Sequence, residues 1–372
     1  MKTLGIGLIG CGNISTTYLD LAPLFKGVEI RSVTDLNAEL AAEKADAYGV
    51  RSETLEAMLA ADDIDMVVNL TIPEAHFAIS KQALEAGKHV YSEKPFVLSL
   101  SEGIELTALA KSKGVRLGSS PDTFLGGSHQ QARAALDAGE VGKIVSGTCH
   151  IMGHGMEGWH PNPDFFYRPG GGPVLDMGPY YLTNLVQLLG PVKQVQAVSD
   201  TPFKSRTIAN GPRNGEDISV LTPTTFHAIL QFANGAIITL GASWDVWKHR
   251  HDHMELYGTE GSLFLPDPNF FGDTVKIAKP GGEIEDLPTT DHPFHIDNQG
   301  TQANYRTAGA AEMAQAILEN RPHRCNGDLA LHVVEVMTNL LKAGETGQMV
   351  EMQTRCERPA PLGISDATAL LN

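Results

Sequence analysis

The chain has 372 residues, 42% of them apolar and 19% charged, and its 44 acidic against 28 basic side chains give a formal net charge of −16. That length exceeds one ordinary core and predicts about two domains. The acidic balance, with no lysine- or arginine-rich block, excludes nucleic-acid binding by phosphate neutralisation.

No apolar run approaches the ~20 residues that span a bilayer, so no membrane association is expected. Cys11, Cys149, Cys325 and Cys356 show no paired spacing, which fits reduced thiols in a cytoplasmic protein. The first ten residues superficially resemble a signal peptide but lack a small-residue cleavage site and run into a glycine turn.

Leu4 to Ile9 is a short apolar run that breaks at Gly10-Cys11-Gly12-Asn13-Ile14-Ser15, and Tyr18, Leu19, Leu21 and Leu24 then recur at helical spacing. Strand, glycine turn and helix is the context in which such glycines read as a dinucleotide fingerprint. Gly10 permits the tight turn, and Gly12 lets the backbone approach a pyrophosphate at the helix N-terminus. The next strand, Val28 to Val33, ends at Asp35, about twenty residues beyond the motif, where an acidic residue accepts the ribose hydroxyls of NAD. Asp35 would repel the 2′-phosphate of NADP, and Leu36-Asn37-Ala38 supplies no arginine for it, so NAD is favoured over NADP. The alternative role for Asp35 is to cap the helix Ala38 to Tyr48.

Asp65 to Thr71 is apolar through its middle, as buried parallel strands are. It leads through Ile72-Pro73-Glu74-Ala75-His76 into a helix from Phe77 to Ala86, closed by Gly87. The strand His89 to Tyr91 then delivers Glu93-Lys94-Pro95 to the sheet edge that carries the glycine loop. Pro95 biases Lys94 towards extended geometry, and ligands gather at the carboxyl ends of strands in open α/β sheets. The bland alternative is a solvated strand exit. A helix from Ser99 to Lys113 and a strand Val115 to Leu117 complete a doubly wound Rossmann unit of roughly 120 residues.

Beyond it, a helix begins at Ser128 and runs to Ala138. Strands such as Val145 to Met152 and Phe226 to Phe232 alternate apolar and polar residues, which predicts an open, mainly antiparallel sheet in an α+β domain. The expected division is 1–122 and 123–372, with helices over Tyr305 to Ala316 and Asp328 to Leu341 packing back on the junction. A glycine-rich stretch precedes Asp176-Met177-Gly178-Pro179-Tyr180 and an apolar helix to Leu189. In a strand, His249, His251 and His253 would share one face. No cysteine or carboxylate at ligand spacing supports zinc there, so no metal is expected, and a sheet-face or subunit-contact role is preferred.

Gly10-x-Gly12-Asn13-Ile14, Asp35, Thr71-x-Pro73-x-x-His76 and Glu93-Lys94-Pro95 together resemble the glucose–fructose oxidoreductase / inositol dehydrogenase / MocA family of NAD(P)-dependent oxidoreductases. Ala138-Gly139-Glu140-Val141-Gly142-Lys143-Ile144 and Gly258-Thr259-Glu260-Gly261-Ser262-Leu263 resemble its later landmarks, so the likeness covers essentially the whole chain. It implies that Thr71, Pro73, His76, Glu93 and Lys94 serve the cofactor alongside the glycine loop and Asp35. It also implies assembly as a homodimer or homotetramer through the open sheet face.

The family usually carries Asp-x-Gly-x-His as its proton-transfer motif. Here Asp176 and Gly178 match, but Tyr180 stands in the histidine position, as in the dihydrodiol dehydrogenase and glucose–fructose oxidoreductase branches. A free tyrosine, with a pKa of about 10, is a poor base until a cation stabilises its phenolate. The expectation is Tyr180 as acid/base, Lys94 as its cationic partner and Asp176 as the group orienting substrate. The alternative is an N-cap at Asp176 and helix packing at Tyr180.

Ser119-Ser120-Pro121-Asp122-Thr123-Phe124 falls where many relatives carry Asn-Arg-Arg-Phe, so Asp122 is a candidate hydroxyl binder or a loop cap. Trp159, His160 and Tyr167 could line a sugar pocket. The resulting expectation is hydride transfer at a secondary hydroxyl or ketone of a sugar, glycoside or cyclitol. The alternatives are an NAD-dependent glycosidase working by transient oxidation and elimination, and a sensor without turnover.

Overall fold

The computed structural model describes residues 3–372. The first apolar run forms β1 (Leu4–Ile9), buried along its whole length. It is followed by α1 (Asn13–Leu21), β2 (Val28–Thr34), α2 (Ala38–Tyr48), β3 (Arg51–Ser52), α3 (Leu55–Ala60), β4 (Met66–Asn69), α4 (Pro73–Glu85), β5 (His89–Ser92), α5 (Leu100–Lys113) and β6 (Leu117–Ser119). The sheet order is β3-β2-β1-β4-β5-β6, all parallel. The order reverses between β1 and β4, the switch point at which open α/β sheets bind ligands.

Two predicted boundaries shift for local reasons. α4 begins at Pro73 rather than Phe77, because proline suits the first helical position, where its missing N–H costs nothing. β6 begins at Leu117 rather than Val115, because α5 closes at Gly114 with φ +68° and the Val115 N–H is bonded back to Ala110.

The second half starts with α6 (Gly127–Asp137), β7 (Ile144–Met152), α7 (Gly172–Asp176) and α8 (Gly178–Leu189). It continues with β8 (Val192–Asp200), β9 (Ser205–Thr207), β10 (Asp217–Ser219), β11 (Thr225–Phe232), β12 (Ile237–Ser243), β13 (Met254–Gly258), β14 (Ser262–Leu265), β15 (Lys276–Ala278) and β16 (Ile284–Asp286). The chain ends with α9 (Ala308–Leu318), α10 (Gly327–Thr346), β17 (Val350–Glu351) and α11 (Ile364–Leu370).

A nine-stranded sheet runs β16-β15-β14-β13-β7-β12-β11-β8-β17, antiparallel except for the β7–β12 pair. Its strands alternate buried and exposed positions, as in β11 and β8, so one face packs against helices and the other is open. Helix α10 packs on both α5 and β8, joining the two sheets. Leu371 pairs with Phe25, and the Asn372 N–H donates to Leu24, so the chain end returns to the first sheet's side.

Most of the apolar interior is one continuous core; a satellite cluster of Tyr167, Ile208, Ile218, Val220 and Trp244 lies under the 153–170 loop and the β9–β10 hairpin. No helix among the described residues is long and apolar enough to cross a membrane.

Candidate active site

The glycine loop has the geometry a pyrophosphate needs. Gly10 has φ +104°, and a Cβ there would lie 2.7 Å from the Leu70 carbonyl oxygen. Gly12 is the N-cap of α1 with no side chain in the cap, and a Cβ on it would meet nothing within 4 Å. Open space therefore faces the helix N-terminus, with Asn13 and Ile14 in its first turn.

Asp35 accepts the Cys11 N–H at 2.7 Å and the Asn37 N–H at 2.8 Å. It ties the glycine loop to the end of β2, and the cap of α2 is Asn37, whose side chain accepts from Glu39 and Leu40. Leu36 beside it is fully exposed, and Ile72 after β4 is 66% exposed. Each is a lone apolar side chain in a turn after a strand of the parallel sheet, a pattern without a sequence signal of its own. The whole arrangement fits a dinucleotide.

Around it, the loops are braced. The Thr71 hydroxyl donates to Asn69 at 2.7 Å, and Pro73 starts α4. His76 is buried, with Nδ1 2.7 Å from the Pro95 carbonyl oxygen and Nε2 3.0 Å from that of Thr71. Burial holds its pKa below the ordinary value, and the neutral ring, with a single N–H, donates to one of these two carbonyls and packs against the other. The Glu93 carboxylate accepts from the Tyr18 hydroxyl at 3.0 Å, the Ser120 hydroxyl at 3.2 Å and the Lys94 N–H at 2.8 Å. His76 and Glu93 thus brace the loops through hydrogen bonds within the protein.

Lys94 leaves the end of β5 and reaches the second half of the chain. Its Nζ donates to the Asp176 carboxylate and to the Asp176 carbonyl, each at 2.9 Å, and stands 5.0 Å from the centre of the Tyr180 ring. Burial opposes its charge, but Asp176 and Tyr180 outweigh that and hold the lysine pKa above its ordinary range. Asp176 closes the short helix α7 and Tyr180 sits in the first turn of α8, 9% exposed. The chain therefore brings together the three residues of the expected catalytic group, with Asp176 bound to the lysine.

The other expected residues fall elsewhere. Asp122 is buried, and its carboxylate accepts the N–H groups of Thr307 at 3.1 Å and Gly309 at 2.9 Å, so it caps α9 from another element. Tyr167, expected to line a sugar pocket, is fully buried in the satellite core and bonded to Glu157, which corrects that expectation. Trp159 and His160 stay near the surface in the same loop, edge to face at 5.5 Å.

The histidine run is not a strand, since β13 begins at Met254. His251 stacks on His150, while His253 turns to the Tyr181 hydroxyl at 2.9 Å, so the three do not share one face. No metal-binding cluster occurs among the described residues.

One charged group at the site was not found from sequence. Arg306 lies with its guanidinium carbon 6.0 Å from the Tyr180 ring centre and donates twice to Asn269, at 2.9 Å to the carbonyl and 2.7 Å to the side chain. Burial lowers its pKa, but Tyr180 and then Asp122 more than offset this and raise it.

Comparison with known proteins agrees with this geometry. Residues 4–120 match the family description "Oxidoreductase family, NAD-binding Rossmann fold", and residues 129–264 match "GFO/IDH/MocA C-terminal domain". An uncharacterized oxidoreductase of Schizosaccharomyces pombe is 33% identical over 319 residues, covering 80% of this chain and 84% of its own. The 1,5-anhydro-D-fructose reductase of Ensifer adhaerens is 25% identical over 358 residues, covering 94% of this chain and 98% of its own. Among solved structures, a levoglucosan dehydrogenase in complex with NADH and L-sorbose shares the fold, with a TM-score of 0.81, 20% identity, and coverage of 95% of this chain and 100% of its own. The glycine loop, the Glu93-Lys94-Pro95 edge and the open sheet thus belong to one architecture, and the chain is a member of the GFO/IDH/MocA family of NAD-binding Rossmann-fold oxidoreductases.

Proposed function

We propose that the protein transfers a hydride between the nicotinamide of NAD and a secondary hydroxyl, or the corresponding ketone, of a sugar, glycoside or cyclitol. The observation that carries this reading is the contact of Lys94 with Asp176 and Tyr180, at the sheet edge where the glycine loop opens. The names of the anhydrofructose reductase and levoglucosan dehydrogenase relatives support a sugar-type substrate. Asp35, with no arginine in Leu36-Asn37-Ala38, favours NAD over NADP.

Gly10, Gly12, Asn13 and Ile14 would hold the pyrophosphate, Asp35 the ribose, and the Thr71–Pro73 turn would flank the cofactor. Bound there, NAD supplies the hydride acceptor for oxidation, and its reduced form the donor for reduction. Tyr180 takes the proton of the substrate hydroxyl in oxidation and returns it in reduction. Lys94 places a positive charge 5.0 Å from the Tyr180 ring centre, where it offsets the negative charge that develops as the proton moves, and Asp176 keeps that ammonium in place through two hydrogen bonds. The exposed Trp159 and the half-buried His160 beside it would form one wall of the substrate entrance. The working form is a cytoplasmic homodimer or homotetramer, packed through the open face of the nine-stranded sheet.

A panel of sugars, glycosides and inositols with NAD and NADP, followed by absorbance of reduced nicotinamide, tests this reading. Net reduced cofactor with at least one member, and a preference of tenfold or more for NAD, is expected. Glycoside cleavage without net reduced cofactor would contradict the reaction, and a clear preference for NADP would contradict the role of Asp35.

A further inference from the structure

Arg306 makes no ion pair with any carboxylate among the described residues, and its Nη2 is fixed by both acceptors of Asn269. A largely desolvated guanidinium next to a phenol, with Asp122 and Glu93 acting on it but no carboxylate in contact, is costly to maintain unless the site uses its charge.

The backbone that presents it is strained. Thr307, the next residue, has φ +113° and ψ −19°, a region that β-branched residues rarely enter, and its hydroxyl is buried without a partner. That conformation is held by a residue distant in sequence, Asp122, whose carboxylate accepts from Thr307 and Gly309. Gly309 cannot be larger, since a Cβ there would lie 2.1 Å from the Tyr91 hydroxyl and 2.7 Å from the Asp122 Cβ. Strain of this kind persists only where surrounding structure over-determines it, and it clusters at functional sites.

We infer that Arg306 is the second cation of the acid–base group, acting through Tyr180 together with Lys94, and that Asp122 is the positioning residue that holds the strained Thr307 turn from which Arg306 is aimed. The inference rests on Tyr180 being the acid/base. In oxidation the hydroxyl proton passes to the Tyr180 oxygen while the C–H hydride, with its electron pair, leaves for the cofactor and the C=O bond forms. Lys94 and Arg306 stay protonated throughout and stabilise the phenolate that accepts the proton. The charged groups that bear on the phenol are Lys94 after β5, Asp176 of α7 bound to it, and Arg306 before α9, with Glu93 and Asp122 behind the two cations.

The test is the pH dependence of kcat for alcohol oxidation in Arg306→Met, Arg306→Lys, Thr307→Gly and Tyr180→Phe, with NADH binding followed by fluorescence. Arg306→Met should bind NADH normally, lose at least about tenfold in kcat near neutrality and move the acid limb of the kcat profile upward by about one pH unit. Arg306→Lys, which keeps the charge, should return most of that shift. Thr307→Gly, which relieves the backbone, should fold at least as well as the parent yet lose kcat as Arg306 loosens. An unmoved acid limb in Arg306→Met, or a loss carried wholly by KM, would overturn the inference. If that occurs while Tyr180→Phe is inactive, the acid/base reading stands and only the role of Arg306 fails. Near-normal turnover of Tyr180→Phe would remove both.

Discussion

In the second half of the chain Arg206 lies between two carboxylates, Glu157 and Asp245, whereas at the active site Lys94 and Arg306 have one carboxylate in contact, Asp176. The first group is closed. Glu157 also accepts from the Tyr167 hydroxyl, Asp245 from the hydroxyls of Thr224 and Thr225, and each of the three charged side chains is under 10% exposed. Its surplus negative charge is used up by neutral donors, and its effect is to pin the 153–170 loop and the β9–β10 hairpin to the end of β12. The second group is less closed: Lys94 and Arg306 flank the Tyr180 ring with one carboxylate in contact, while Glu93 and Asp122 act on them from further off. On the proposed mechanism, buried charges of similar kind do two jobs: the saturated network holds a shape, and the unsaturated one would stabilise a charge that appears during reaction.

Breaking each group should give opposite outcomes. Lys94→Met should reduce turnover by about 10²–10⁴-fold with little change in thermal unfolding, since its loss removes the charge beside the proposed proton-transfer group. Steady-state kinetics beside a melting curve checks this, and retained turnover would contradict it. Arg206→Met should do the reverse, leaving two buried carboxylates without their cation at a cost of roughly 3–5 kcal/mol. The melting temperature should fall by several degrees, and any loss of activity should appear mainly in KM through the loosened 153–170 loop. An unchanged melting temperature would mean that the latch contributes nothing.

Smaller effects separate the two kinds of buried titratable group. Burial lifts the Asp122 carboxyl from 3.8 to about 6. The folded form thus binds a proton there that the unfolded chain has released, and this contribution to stability is complete below pH 3.8 and lost as pH rises through about 6. His129 runs the other way: burial depresses it from 6.5 to about 4, so its contribution is present above pH 6.5 and lost as pH falls through about 4. Asp122→Asn, which keeps an acceptor for Thr307 and Gly309, should flatten the alkaline-going fall in thermal stability between pH 4 and 6. Superimposable parent and variant curves over that interval would refute the assignment.

Local signals were the most legible in the sequence. The glycine turn, Asp35 and Glu93-Lys94-Pro95 each follow a strand within a few residues, and the parallel sheet then brings them to one edge. The Asp176–Tyr180 motif was equally compact, although the contact that gives it meaning joins residues 82 apart. Arg306 was invisible for a physical reason. Its placement depends on a positive φ at a threonine, where sequence patterns reserve such angles for glycine or asparagine, and on Asp122, 185 residues from the N–H it holds.

Tyr167 shows the matching weakness, and Asp122, readable as hydroxyl binder or cap, turned out to be a cap. A polar or aromatic residue near a loop motif faces a ligand or the interior with no difference in pattern, and both went inside. The histidine run likewise depended on a strand that starts only at Met254.

The central claim is that Tyr180 carries the proton. Single-turnover oxidation by Tyr180→Phe, with NAD saturating and NADH binding shown to be unchanged, tests it most directly. The account predicts a fall of about 10²–10⁴-fold in the rate of hydride transfer with the fold and cofactor affinity intact. A rate within a few fold of the parent would contradict it.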